Sequence, residues 1–338
     1  MKTALVTGIT GQDGHYLSDF LIKKGYTVYG MYRRSSLDVS ERIESLNPKV
    51  RLVEGDLIDV PSLSRIINDV EPDEIYNLGS QSFVPASLTQ PVATAEITGL
   101  GVLNLMEVVK GFKKKRIKVY QASTSELFGK VQEVPQKETT PFYPRSIYAV
   151  SKLFGHWVVK NYRESFDMFC CSGILFNHES PIRPKQFVTR KITHSVAKIA
   201  LGQQEYFEIG NMDAKRDWGY AGDYVEAMWM MLQQEKPDDY VISTEETHTV
   251  REFIEESFRT LNMEIKWEGE GIREVGKVDG KVRVKVNPKF YRPAEVDLLI
   301  GDCSKAKKEL GWKPKTKFKE LVKMMVRSDY ENLYDIPK

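Results

Sequence analysis

Leu5-Val6-Thr7-Gly8-Ile9-Thr10-Gly11-Gln12-Asp13-Gly14 is the stretch from which the rest of this 338-residue chain is read. Two apolar residues begin a strand and three glycines follow at three-residue spacing. A helical pattern then carries Tyr16, Leu17, Phe20 and Leu21 to a stop at Gly25. Residues 26–31 resume strand character, which makes a βαβ opening. A glycine triplet alone is a weak signal, because loops hold glycine routinely. Between a buried strand and an amphipathic helix it reads as a nucleotide turn. Gly8, Gly11 and Gly14 leave room for a pyrophosphate and for the helix to pack on the sheet, while the helix start at Gln12 and Asp13 turns amides toward negative charge.

The alternation continues downstream. Residues 50–53, 74–76, 118–120 and 168–175 read as strands. Helical spacing covers 92–109 and 146–162, and also the segment from Asp59, where Pro61 falls in the first turn. The pattern predicts an α/β fold, a Rossmann-like and mostly parallel sheet with helices on both faces. Around Asn177 the rhythm changes to helices at 187–200, 223–232, 250–261 and 318–330 among short strands and a charged stretch at 273–292. Residues 1–176 are expected to be predominantly the nucleotide-binding Rossmann domain. Residues 177–338 are expected to be a smaller C-terminal α/β substrate-binding region, some of whose segments return to the large sheet.

Composition narrows the function classes. Lys and Arg number 49 against 47 Asp and Glu, a net charge of +2, so there is no bulk electrostatic footprint for nucleic acid. Cys170 and Cys171 are adjacent and should point to opposite faces of a strand. With Cys303 they form neither a disulfide framework nor a zinc spacing, which fits a reducing, cytoplasmic setting. The apolar run before Gly8 is too short for a signal-peptide core, and no later segment reads as a membrane span. A soluble protein with no membrane and no nucleic acid as partner is expected. His15, His156 and His194 lie in helical patterns and read as packing or surface residues, and His178 has no neighbouring ligand set, so no metal is implied. Trp229 among Met228, Met230 and Met231 reads as core.

The end of the second strand chooses between cofactors. NAD-binding folds commonly place an acid there, whereas Arg33-Arg34-Ser35-Ser36 follows here, with no acid until Asp38. Arg33 against the extra phosphate favours NADP, and an exposed basic turn is the plain alternative. Gly55-Asp56-Leu57 follows the third strand, where the aspartate would meet adenine. Leu78-Gly79-Ser80-Gln81-Ser82 follows the fourth, close enough to line the pyrophosphate and nicotinamide ribose. Each alone is an ordinary turn, but their order along the sheet favours cofactor contact.

Ser123-Thr124-Ser125-Glu126 lies beyond the fifth strand, and Tyr148-Ala149-Val150-Ser151-Lys152 lies in a helix. Four-residue spacing puts Tyr148 and Lys152 on one face, so an ammonium can stabilise tyrosinate. With the glycine turn, this set resembles the extended short-chain dehydrogenase/reductase superfamily, whose Ser/Thr, Tyr and Lys triad acts beside nicotinamide. Glu126 narrows the resemblance to the sugar-nucleotide dehydratases. The dTDP-glucose type has aspartate just before that glutamate, where this chain has Ser125. Thr124-Ser125-Glu126 is similar to the GDP-mannose 4,6-dehydratase family. So are Asn177-His178-Glu179-Ser180-Pro181, Phe187-Val188-Thr189-Arg190-Lys191-Ile192, Lys215-Arg216-Asp217-Trp218-Gly219 and Asp223-Tyr224-Val225-Glu226-Ala227-Met228-Trp229, and the likeness spans essentially the whole chain.

The resemblance implies conversion of GDP-mannose to GDP-4-keto-6-deoxymannose and water. Thr124, Glu126, Tyr148 and Lys152 would be catalytic, with Tyr148 and Lys152 also contacting NADP that is retained and recycled during turnover. It implies Asn177, Glu179, Lys191, Arg216, Arg292 and Glu295 around GDP-mannose, and a homo-oligomer, dimer or tetramer. Ile182 and Pro184 depart from the family's Arg-Arg-Gly after Ser-Pro, and Phe83 stands where histidine is frequent. An epimerase or reductase, which gives Glu126 no elimination role, and a noncatalytic NADP-binding protein are the competing readings.

Overall fold

The computed structural model describes residues 1–35, 40–291, 296 and 298–335. In chain order its strands are β1 (Thr3–Thr7), β2 (Thr27–Tyr32), β3 (Arg51–Glu54), β4 (Glu74–Asn77), β5 (Lys118–Thr124), β6 (Cys170–Leu175), β7 (Asn177–Glu179), β8 (Phe207–Ile209), β9 (Lys215–Arg216), β10 (Trp218–Tyr220), β11 (Asp239–Ile242), β12 (His248–Thr249), β13 (Lys266–Glu268), β14 (Val275–Val278) and β15 (Lys281–Val286). The chain divides into two compact units. The first is Met1–Phe176, Ala221–Ile242 and Gly301–Lys313, and the second is Asn177–Tyr220, Ser243–Ile300 and Pro314–Lys338.

The first unit holds one parallel sheet in the order β11-β6-β5-β4-β1-β2-β3. From β1 the chain runs outward through β2 and β3, then restarts on the other side at β4. That reversal between β1 and β4 opens a crevice beyond the strands' carboxyl ends, where this architecture takes ligands. Both faces of the sheet are covered, so β4 and β6 are buried along their whole length. The period-two alternation sends Cys171 to one core with Tyr76, Tyr120 and Tyr224, and Cys170 to the other with Val119, Val159 and Tyr162. Both are free thiols, and burial pushes each up to about 12. Trp312 fills the first core, edge-on to Tyr224 at 5.7 Å, and its Nε1 donates to the Asp223 carbonyl.

One segment departs from expectation. Pro91–Gly111 is long and apolar enough, by length and composition, to cross a membrane. It consists of Pro91–Ala95, a π-turn at Glu96–Leu100 and Gly101–Gly111. Val102, Leu105, Met106 and Val109 on it pack into the same core as Cys170.

The second unit is built on Val188–Ala200, Val250–Thr260 and Phe318–Tyr334. Ile192, Val196, Phe253, Phe258, Leu321 and Met325 form its core, with Trp218 stacked on Phe318 at 6.2 Å. A four-stranded sheet, β13-β14-β15-β8, adjoins these helices. The stretch at 273–292, which reads from its sequence only as charged, is mostly the hairpin β14–β15. Asp279 and Gly280 turn that hairpin at φ 50° and 74°, the left-handed pair that a two-residue antiparallel connection requires.

Candidate active site

The nucleotide turn is held by a buried polar chain across three strands. Thr7 Oγ1 donates to Asn77 Oδ1 at 2.6 Å and accepts the amides of Leu78 and Gly79 at 3.1 and 3.0 Å. Asn77 Nδ2 donates to Gln121 Oε1 at 2.7 Å. Gly8 then turns at φ +66°, and a Cβ built there would lie 2.9 Å from the Gly79 amide nitrogen. A Cβ on Gly14 would lie 2.4 Å from the Ile9 carbonyl oxygen, so the helix packs this closely on the turn only without a side chain. Gly11 caps Gln12–Lys23 from an extended conformation with no side-chain hydrogen bond, which leaves the positive end of the helix open to an anion. A cradle that any Cβ would fill, at a helix start with no side-chain cap, fits a dinucleotide pyrophosphate. Gln12 is buried, and its Nε2 donates to Asp13 Oδ1 at 3.0 Å.

The remaining cofactor candidates sit at the same strand ends. Arg33 is exposed just past β2, and Asp38 lies outside the described residues. Asp56 Oδ1 accepts the Ile58 amide at 3.2 Å. Leu57 is buried in the core and its carbonyl accepts Asn104 Nδ2 at 2.9 Å. Leu78 and Ser80 are half-buried beyond β4.

At the end of β5, Thr124 caps the 3-10 turn Ser125–Leu127, its side chain accepting the Glu126 amide at 3.3 Å. Glu126 itself is 9% exposed. Ser146 caps the helix Ile147–Phe166 by accepting the Ala149 amide, which starts that helix one residue before Tyr148. Tyr148 and Lys152 are both buried, with the Lys152 nitrogen 6.0 Å from the phenol ring centre. Lys152 Nζ donates to the Ala122 carbonyl at 2.9 Å. Burial pushes this ammonium down to about 8, and the Asp13 charge opposes that shift. All four catalytic candidates therefore come from the end of β5, the 3-10 turn after it and one helix of the first unit. His156, read from the sequence as a packing or surface residue, is not among these candidates, and the structure packs it against Phe142 and Trp157. It is buried, but its Nδ1 also lies 3.3 Å from Ser123 Oγ. The available signal was the spacing, since 148, 152 and 156 form one four-residue series.

The substrate candidates Asn177, Glu179, Lys191 and Arg216 fall in the second unit. Asn177 and Glu179 lie on β7, in register with Trp218 and Tyr220 of β10. Glu179 is buried, and its Oε2 accepts Thr189 Oγ1 at 2.6 Å and faces Arg183 Nε at 3.1 Å. Lys191 is half-buried, 3.5 Å from the Phe290 ring centre. Burial lowers its pKa, with Glu208 opposing and Lys289 assisting. Arg216 is buried in β9, and its Nη1 donates to the Lys215 carbonyl. Arg292 and Glu295 lie outside the described residues. Among the described residues no three His, Cys, Asp or Glu side chains gather as a metal site.

A doubly wound sheet, a glycine turn at its switch point and a Thr, Tyr and Lys set with an added glutamate define a nucleotide-sugar enzyme of the extended short-chain dehydrogenase/reductase superfamily. The family model described as GDP-mannose 4,6 dehydratase matches residues 5–325. The chain belongs to that family. It is 57% identical to the human GDP-mannose 4,6 dehydratase over 98% of this chain and 92% of that protein. It is 56% identical to the Drosophila melanogaster one over 98% and 86%. Among solved structures, a UDP-glucose 4-epimerase from Thermus thermophilus in complex with NAD superimposes with a TM-score of 0.81 at 25% identity, covering 97% and 98% of the two chains.

Proposed function

We propose that the chain converts GDP-mannose to GDP-4-keto-6-deoxymannose with loss of water, and that Thr124, Glu126, Tyr148 and Lys152 carry the chemistry. The observation behind this is a glutamate in the turn directly after β5, a turn packed on the helix that carries the buried Tyr148 and Lys152, in a chain matched to the dehydratase family from residue 5 to 325. Tyr148 takes the proton from the mannose O4, and the Lys152 ammonium stabilises the tyrosinate. Thr124 Oγ1 accepts the Glu126 amide, which leaves the hydroxyl able to donate its own proton to orient O4. A bound dinucleotide would supply a hydride acceptor at C4 and a hydride donor at C6, so that no net NADP would be consumed and it would be retained and recycled. The new ketone acidifies the hydrogen on C5. Glu126 removes that hydrogen as a proton and hands it to the departing C6 hydroxyl, which leaves as water; when the C5–C6 alkene takes hydride at C6 it takes a proton at C5, balanced by the one Tyr148 drew from O4.

Gly8, Gly11, Gln12, Asp13 and Gly14 would hold the pyrophosphate, Asp56 and Leu57 the adenine end, and Leu78 and Ser80 the nicotinamide ribose. Exposed Arg33 after β2 supports NADP over NAD. Lys191, Arg216 and Arg292 would offset the charge of the GDP diphosphate. Asn177, Glu295 and the Oε1 of Glu179, whose Oε2 is engaged, would accept sugar or ribose hydroxyls. Self-association is supported by a solvent-facing apolar stripe on Ile147–Phe166, where Ile147, Val150, Phe154 and Trp157 are 40–50% exposed at helical spacing. Buried free thiols support a cytoplasmic setting, and the near-neutral charge supports the absence of a nucleic-acid partner.

Mass and NMR analysis of the product from GDP-mannose tests the reading, with loss of one water and no accumulating NADPH expected. Tyr148→Phe should suppress the first oxidation, whereas Glu126→Gln should still form enzyme-bound NADPH but release no dehydrated sugar. Normal product from both variants overturns these roles.

A further inference from the structure

The last residues of β5 have ladder support on one side only. Pairing with β4 ends at Gln121, opposite Asn77, while pairing with β6 continues to Thr124, opposite Leu175. Residues 122–124 therefore lack backbone partners on the β4 side, and this is where the reacting groups begin. Two side chains from successive turns of one helix hold this stretch. Lys152 Nζ donates to the Ala122 carbonyl at 2.9 Å, and His156 Nδ1 lies 3.3 Å from Ser123 Oγ. The next residue is Thr124, whose side chain caps the turn bearing Glu126.

His156 is built to stay in place. It is 4% exposed, edge-on to Phe142 at 5.3 Å and to Trp157 at 5.9 Å. Burial holds its pKa below the usual imidazole range, so the ring is neutral at pH 7 and offers one donor and one acceptor nitrogen. Its ring also forms part of the wall of a cavity of about 210 Å³ that Glu138, Trp157, Lys160 and Asp239 help to line.

We propose that His156 is a positioning residue for the dehydratase reaction: through Ser123 it fixes the one-sided end of β5, and with it the Thr124 hydroxyl and the Glu126 turn, against Tyr148 and Lys152 on its own helix. The inference rests on the reaction proposed above and on the roles given there to Thr124 and Glu126. His156 touches no reacting atom in this assignment. Its effect should therefore fall on the chemical steps, which need sub-ångström alignment, and not on the binding of GDP-mannose.

The test compares three variants of the full-length enzyme with wild type in steady-state turnover of GDP-mannose. His156→Phe keeps the aromatic bulk and loses the ring nitrogen. Its kcat should fall about 10- to 100-fold with KM within about two-fold of wild type. His156→Asn carries amide atoms near the Nδ1 position and should return kcat to within about five-fold of wild type. His156→Ala opens a space joined to the cavity, so added imidazole should restore turnover, whereas thiophene, a similar ring without a hydrogen-bonding nitrogen, should not. Wild-type kcat and KM in His156→Phe overturn the proposal. So does an equal loss in all three variants without rescue by imidazole, which would mark the ring as packing alone. Absence of dehydrated product from the wild-type enzyme would overturn the reaction itself, a result distinct from either of these.

Discussion

Thr7 and Asn77 share a buried 2.6 Å hydrogen bond between the carboxyl ends of β1 and β4, and the same Thr7 oxygen accepts two amides of the turn after β4. One hydroxyl thus fixes the spacing of the two strands that flank the nucleotide crevice. Thr7→Val keeps the shape and leaves the Leu78 and Gly79 amides without that acceptor. Unfolding in denaturant should show a loss of about 1–3 kcal/mol, with weaker binding of NADP. Unchanged stability together with unchanged cofactor affinity would count against this bracing role.

Lys152 should trade stability for activity. Its pKa is about 8 in the folded protein against 10.5 for an unhindered lysine. Between those values the unfolded chain binds more protons, so the stability of the cofactor-free protein rises with pH through this window and is lowest below it. Lys152→Met removes the buried charge. It should raise stability at about pH 7 by on the order of 1–3 kcal/mol and lower turnover by roughly 10²- to 10⁴-fold. Thermal melts of both proteins at neutral and alkaline pH decide it. A variant less stable than wild type at both pH values contradicts the assignment.

In the second unit Arg190 and Asp329 form a buried ion pair. Arg190 Nε lies 2.9 Å from both carboxylate oxygens, and Thr193 Oγ1 donates to Oδ2 at 2.7 Å. Asp329→Ala strands the guanidinium and should cost about 3–5 kcal/mol, while Arg190→Met combined with Asp329→Leu should recover most of that. Equilibrium unfolding of the single and double variants measures the difference. Equal losses in both would mean that packing, and not the stranded charge, sets the effect.

The apolar stripe on Ile147–Phe166 yields a prediction about assembly. Replacing Val150 and Phe154 together by lysine should shift the sedimenting species toward a single chain, since charge on such a surface opposes burial against a second copy. An unaltered sedimentation profile would move the interface elsewhere.

The parts of the fold legible in the sequence are those fixed by local constraints. Gly8 and Gly14 are forced by close backbone approaches, to Gly79 and to Ile9, and their spacing between a buried strand and an amphipathic helix marks the site. Tyr148 and Lys152 are one helical turn apart, and a spacing of four places them on one face. The β14–β15 hairpin was obscured by its lysines, although Asp279-Gly280 and the alternating Val282, Val284 and Val286 carried the signal. Other features depend on distant partners. The Glu179 contact with Thr189 and the His156 contact with Ser123 join separate elements; four-residue spacing places His156 on the Tyr148 face, but no local pattern announces the partner of either residue. The apolar character of Pro91–Gly111 comes from residues that a sandwiched helix needs, and composition by itself does not separate that helix from a membrane-crossing one.

The nucleotide-binding unit is assembled from three stretches of chain, the last ending at Lys313. A ribosome that has made only the first 176 residues has supplied six of the seven strands of the parallel sheet but neither the edge strand β11 nor the Trp312 plug. The unit can therefore close only after the chain has been made through Lys313. Until then the unpaired flank of β6 is an exposed template for other nascent chains, which makes the period of translation, more than the finished state, the time at which this protein is most in need of a chaperone.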